Sequence, residues 1–266
     1  MRGLAVREWG RDGASRVVCL HGVTSFGGHF RLLAEDWLAE RRHVLALDLL
    51  GHGSSPREAP WDLESHLEAV LAAAGSVPAA WIGHSFGGRL AFEVAAREPA
   101  LVERLVLLDP AILLPPHVAL YAAENARLDR SYHSFDEAID RRYEESQLHR
   151  APRALLEAEL REHLVPDDEG RWRYRYTQAA VVTAYSVMAE APPPFEAVRV
   201  PTLLVLGEQS YVPYDELLGP HRDAVGDLLE VVTVPGGHTV LWDALEETAA
   251  AVSAFLAAPR AALPGS

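Results

Sequence analysis

Six short apolar runs, each the length of one strand, are separated along this chain by segments of helical period. That alternation restricts the chain to an α/β architecture with a mostly parallel sheet. The runs occupy residues 17–20, 44–47, 79–82, 105–108, 203–206 and 229–234. They are continuously hydrophobic rather than alternating, which implies strands covered on both faces. Phe30, Leu33, Ala34, Trp37 and Leu38 follow the i, i+3, i+4, i+7, i+8 pattern of a helix lying on a sheet. Segments 63–74, 89–97 and 244–256 read similarly. A chain of 266 residues can bury one substantial core and suits one large domain carrying an insertion.

The alternation breaks between residues 111 and 198, where charged helical stretches lead to the run Pro192-Pro193-Pro194. The expected organisation is a core of residues 1–110 and 199–266 with a helical cap at 111–198. An insertion leaving the C-terminal end of a strand lies over the place where such sheets bind ligands, so it reads as a lid; a surface extension is the alternative. Within it Trp172, Tyr174 and Tyr176 alternate with Arg171, Arg173 and Arg175. Those aromatics either line a pocket or pack the cap on the core. The tail 257–266, with two prolines and a glycine, is expected to fray.

Several function classes are excluded early. All 24 basic residues are arginine, so a pyridoxal-phosphate Schiff base, a phosphate-loop lysine and a Ser-Lys dyad are ruled out. A net charge of −14 argues against a nucleic-acid partner. No run of 18 apolar residues is present, and the first ten residues lack the apolar region of a secretory signal, so a cytoplasmic location is the expectation. Cys19, the single cysteine, sits in an apolar run and reads as a small buried hydrophobe. No histidine spacing supports a metal site, and no cofactor is expected.

The chemistry concentrates in Gly83-His84-Ser85-Phe86-Gly87, a G-x-S-x-G sequence between a strand and a helix. A serine on so tight a turn projects its oxygen above the sheet, and the flanking glycines remove Cβ atoms that would collide there. The following helix aims its free N–H groups at the same point. His238, in Pro235-Gly236-Gly237-His238 after the last strand, is the expected general base. His21, His52 and His84 lie in glycine turns and read as loop-fixing groups. The remaining eight, His29, His66, His163 and His221 among them, read as solvated surface. The backbone N–H groups of Phe86 and Val23 are the candidate oxyanion hole.

With these motifs and Asp48-Leu49-Leu50-Gly51-His52-Gly53, the chain resembles the α/β-hydrolase superfamily over nearly its whole length. The resemblance implies an eight-stranded, mostly parallel sheet flanked by helices and a helical cap, with the Asp48 segment structural. It also exposes a departure. Most relatives carry their triad acid in G-x-x-D after the seventh strand, and here Gly207-Glu208-Gln209-Ser210 puts a serine at that place. Asp109, after the strand at 105–108, is the favoured replacement, since some relatives place the acid there; Glu208, Asp215 or no ionised acid are the alternatives. The expected activity is hydrolysis of an ester, lactone or activated C–C bond through an acyl-enzyme on Ser85, on a small-molecule substrate with an apolar acyl or ester group. A catalytically weak binding protein, or an acyltransferase or perhydrolase using the same site, is the alternative.

Overall fold

The computed structural model describes residues 3–259; the tail expected to fray falls, from residue 260 onward, outside the described residues. All six apolar runs form strands, β2 (Ser15–Leu20), β3 (Arg42–Leu47), β4 (Ala79–His84), β5 (Val102–Leu108), β9 (Thr202–Gly207) and β10 (Leu229–Val234), and β1 (Val6–Trp9) joins them at one edge. The sheet has seven strands in the order β1-β3-β2-β4-β5-β9-β10. β1 is antiparallel to β3, and the other pairs are parallel.

The eight strands implied by the resemblance are therefore seven among the described residues. The residues just ahead of β1 are committed elsewhere: Ala5 N–H donates to Ser55 Oγ at 2.9 Å, and Ala5 O accepts from Asp48 N–H at 2.9 Å. They anchor the loop after β3 instead of adding a strand.

Burial on both faces explains the unbroken hydrophobicity. Val18, Leu20, Leu45, Leu47, Trp81 and Leu105 point into one core, against α2 (Leu63–Ala74) and α3 (Phe86–Arg97). Val17, Cys19, Val44, Ala46, Ile82 and Val106 point into the other, against the short α1 (Arg31–Leu33), its flanking turns, and α10 (Leu245–Ala257). Cys19 is fully buried and burial pushes its thiol up, which keeps it inert.

The segment from 111 to 198 carries α4 (Pro116–Ala126), α5 (Phe135–Glu145), α6 (Arg153–His163) and α7 (Gln178–Ala189), with a small antiparallel sheet β6 (Ser131–Tyr132), β8 (Trp172–Tyr174) and β7 (Leu164–Pro166). Tyr132, Ile139, Leu160, Leu164 and Tyr174 form a satellite core, and Trp172 and Tyr176 pack against it. The alternating aromatics thus serve packing. α7 differs, since its Val181, Ala184, Val187 and Met188 join the main core. Two further elements complete the chain, α8 (Asp215–Val225) and α9 (Val240–Asp243). No helix among the described residues is long and apolar enough to cross a membrane.

Candidate active site

β3 and β4 flank β2 on opposite sides, so the chain reverses its direction across the sheet there and opens a crevice at the C-terminal strand ends. Ser85 stands at the end of β4 in that crevice, with φ 53° and ψ −116°. A left-handed serine is strained, and such strain persists only where the surroundings over-determine it. Two glycines allow the bend. A Cβ on Gly87 would lie 2.0 Å from Leu20 O, and one on Gly83 would lie 2.3 Å from Gly87 O. Phe86 is the first residue of α3, so its N–H has no intrahelical acceptor and remains available beside the serine.

On the loop after β10, His238 Nδ1 donates to Asp109 Oδ2 at 2.6 Å, with both residues buried. Asp109 follows β5 and also has positive φ, 42°. Its carboxylate accepts two more bonds, from Ser210 Oγ at 2.5 Å and Gly207 N–H at 2.9 Å. The serine at the place where relatives carry an acid therefore supports the acid of the neighbouring strand. Glu208 and Asp215 are exposed, and Asp215 opens α8. Of the acids weighed from sequence, Asp109 is the one that reaches His238. Removing the supporting hydroxyl in Ser210→Ala is expected to lower the unfolding free energy by about 1–2 kcal/mol, measured by denaturant titration.

The loop after β2 is fixed by the glycine-turn histidines. His52 Nε2 lies 2.6 Å from Val23 O, and His21 Nε2 accepts from Leu49 N–H at 3.0 Å. Asp48 accepts from Gly27 N–H at 2.7 Å and Ser54 N–H at 2.8 Å, a structural role. Val23, Ser85 and His238 line one cavity of about 370 Å³, roofed by residues of the 111–198 segment such as Val118, Tyr121, Tyr185 and Met188. That volume suits a small organic substrate.

Four histidines expected at the surface are buried instead: His29, His66, His163 and His221. Their ring contacts are with segments remote in the chain, His29 with Trp242, His66 with Phe86, His163 with Phe26 and His221 with Phe195, which periodicity does not show. His29 lines the cavity and His163 Nε2 donates to Thr24 O at 3.1 Å. His84 does more than fix its own turn, since its Nε2 donates to His238 O at 3.0 Å.

A residue unseen from sequence is Asp243. Its buried carboxylate accepts from Gly237 N–H at 2.7 Å, and from Arg150 and Ala151 N–H at 2.8 and 3.0 Å. It ties the histidine loop to the insertion. Its only signal was a place five residues beyond His238, which reads as ordinary helix-capping acidity. Among the described residues, the one grouping with metal-ligand spacing is Glu8, Asp12 and His43. It lies outside the cavity, and His43 there pairs with Glu8 at 2.8 Å.

Comparison with known proteins gives a consistent picture. The profile of the alpha/beta hydrolase family matches residues 17–251. Lipase LipV of Mycobacterium tuberculosis is 33% identical over 258 residues, covering 95% of this chain and 97% of its own. The mouse sn-1-specific diacylglycerol lipase ABHD11 is 29% identical, covering 91% and 80%. Among solved structures, E-2-(acetamidomethylene)succinate hydrolase superposes with a TM-score of 0.84 at 24% identity, covering 96% and 95%, and so shares the fold.

Proposed function

The chain belongs to the alpha/beta hydrolase family, and on that premise we propose that it is a serine hydrolase of carboxylic esters. The observation that carries the reading is the buried His238–Asp109 bond of 2.6 Å, whose histidine lines the same cavity as Ser85. The two lipase-named relatives support the ester class.

In this reading Ser85 Oγ attacks the acyl carbon and passes its proton to His238 Nε2. Asp109 holds the Nδ1–H and balances the imidazolium charge. The tetrahedral oxyanion accepts from the N–H groups of Val23 and Phe86. Collapse breaks the ester bond, and the leaving alkoxide takes the proton from His238. Water then attacks the acyl-enzyme with His238 as base again, releasing the acid and Ser85. A serine nucleophile, in place of a carboxylate, argues against epoxide hydrolysis and dehalogenation. The weak-binder alternative rested on Ser210; the bonds of Ser210 and His238 to Asp109 weigh against it. The segment 111–198 is proposed as the cap that closes the site and forms the wall against which the acyl group packs.

A fluorophosphonate probe should label the protein on Ser85 and abolish p-nitrophenyl butyrate cleavage, and Ser85→Ala should show neither labelling nor turnover. Persistent turnover in Ser85→Ala would overturn the assignment.

A further inference from the structure

His238 sits on a stretch of chain that no regular element holds. β10 ends at Val234 and α9 begins at Val240, so the residues between them keep their place through bonds to other segments. Nδ1 of the histidine donates to Asp109 Oδ2 at 2.6 Å, and its carbonyl accepts from His84 Nε2 at 3.0 Å. The N–H just ahead of it, on Gly237, donates to Asp243 Oδ2 at 2.7 Å. The first of these bonds serves proton transfer. The last leads out of the core.

Asp243 is 5% exposed, and the rest of its carboxylate faces the segment 111–198. Arg150 and Ala151 N–H donate to Oδ1 at 2.8 and 3.0 Å, and His149 N–H lies 3.1 and 3.3 Å from the two oxygens. With Gly237, these backbone donors fill the acceptor sites of one carboxylate. The two segments also touch directly, since a Cβ on Gly237 would lie 3.1 Å from Gln147 O. Trp242 repeats the link: its Nε1 donates to Glu159 Oε2 on α6 at 2.6 Å, and its ring packs with Ala151 and Leu156. Consecutive side chains of α9 thus hold the segment 111–198 against the loop that carries the base.

We infer that Asp243 is a positioning residue for the general base: it sets His238 through Gly237, and it makes that setting depend on residues 149–151 being docked. The inference rests on the ester-hydrolase reading and deepens it. Its physical reason is the narrow geometric tolerance of catalysis, where a misplacement of about 1 Å costs about 100-fold in rate. Asp243 itself does not line the cavity, so it acts through the histidine rather than on a substrate. When residues 149–151 withdraw, the carboxylate opens to water, and its hold on Gly237 competes with solvent.

The test is Asp243→Asn. Asparagine keeps the shape but has one acceptor oxygen, and its amide nitrogen meets backbone N–H groups on the other side. With folding verified by Tm, kcat on p-nitrophenyl butyrate should fall about 10- to 100-fold, with the loss in kcat rather than in KM. The His238 Nδ1 proton, in its bond of 2.6 Å, gives a downfield NMR resonance that His238→Gln identifies by removing it; the resonance should broaden in Asp243→Asn. A tie that only stabilises the fold would lower Tm and leave both readouts alone. A kcat within about twofold of the wild type, or a resonance that stays sharp, overturns the inference. The wild type gives a second measurement. As urea is raised below the unfolding midpoint, the amides of Gly237, Arg150 and Ala151 should exchange through one opening, and the resonance should broaden with it. Exchange at Arg150 and Ala151 beside a sharp resonance overturns the dependence on that segment, and this measurement decides the inference if Asp243→Asn fails to fold. If the wild type cleaves no ester, the ester-hydrolase reading fails by itself, and the two resonance readouts still decide the placement of His238.

Discussion

Asp109→Asn is expected to lower kcat on p-nitrophenyl butyrate by about 10⁴-fold, with KM nearly constant. The carboxylate at 109 accepts from His238 Nδ1, Ser210 Oγ and Gly207 N–H at 2.6, 2.5 and 2.9 Å. An asparagine there keeps the shape, but it holds only one acceptor oxygen, and its amide can face the imidazole as a donor. The ring then takes the tautomer with Nε2 protonated, and in the proposed mechanism Nε2 can no longer accept the proton of Ser85. The imidazolium formed during attack also loses its compensating charge. Asp215→Asn and Glu208→Gln, at exposed positions without a bond to His238, should change kcat less than about twofold. Steady-state kinetics on the three variants, with Tm recorded to verify folding, reads the result. Equal and small effects in all three would remove Asp109 from the mechanism.

Stability should fall steeply between about pH 6.5 and 5, before most carboxylates protonate. Burial pushes His66 down to about 3 and His221 down to about 4. His21, His84 and His163 are driven well down by burial, and His52 is lowered by it too. The unfolded chain binds protons at these rings near the ordinary histidine value of about 6.5, while the folded protein does not. The unfolded state therefore holds more protons as pH falls, and stability drops with it. At about pH 5, His66 and His221 each cost about 2 kcal/mol relative to neutral pH, and the other four act in the same direction. That sum is a large part of the roughly 5–15 kcal/mol that holds a domain together. Denaturant titration from about pH 8 to 5 checks it. In His66→Leu the slope of stability against pH should lessen by the equivalent of one proton. A flat profile in the wild type would show that the unfolded state gains no protons over the folded one.

The contrast between these histidines and Ser85 shows where sequence reading stops. The six strands were legible because burial on both faces leaves unbroken apolar runs, and β1 was missed because an edge strand of Val6-Arg7-Glu8-Trp9 buries too little to leave that mark. The serine turn was legible because the pentapeptide itself carries the glycines that its bend needs, although the atoms Gly87 makes room for belong to Leu20 on β2. His29, His66, His163 and His221 were not. Their burial depends on residues distant in the chain, Trp242, Phe86, Phe26 and Phe195 respectively, and polar neighbours in sequence conceal it.

The amino-acid sequence alone determined the layered α/β fold, the strained bend at Ser85 and the loop of His238, since each is marked in the chain by a short run of residues or by simple periodicity. Only the tertiary structure decided which carboxylate meets the imidazole, because β5 and β9 must lie side by side before Ser210 and Gly207 can hold Asp109. It also decided that Asp243 ties the histidine loop to the segment 111–198. Hydrogen bonds and desolvation between residues about a hundred positions apart follow from chain packing, and no local pattern records them.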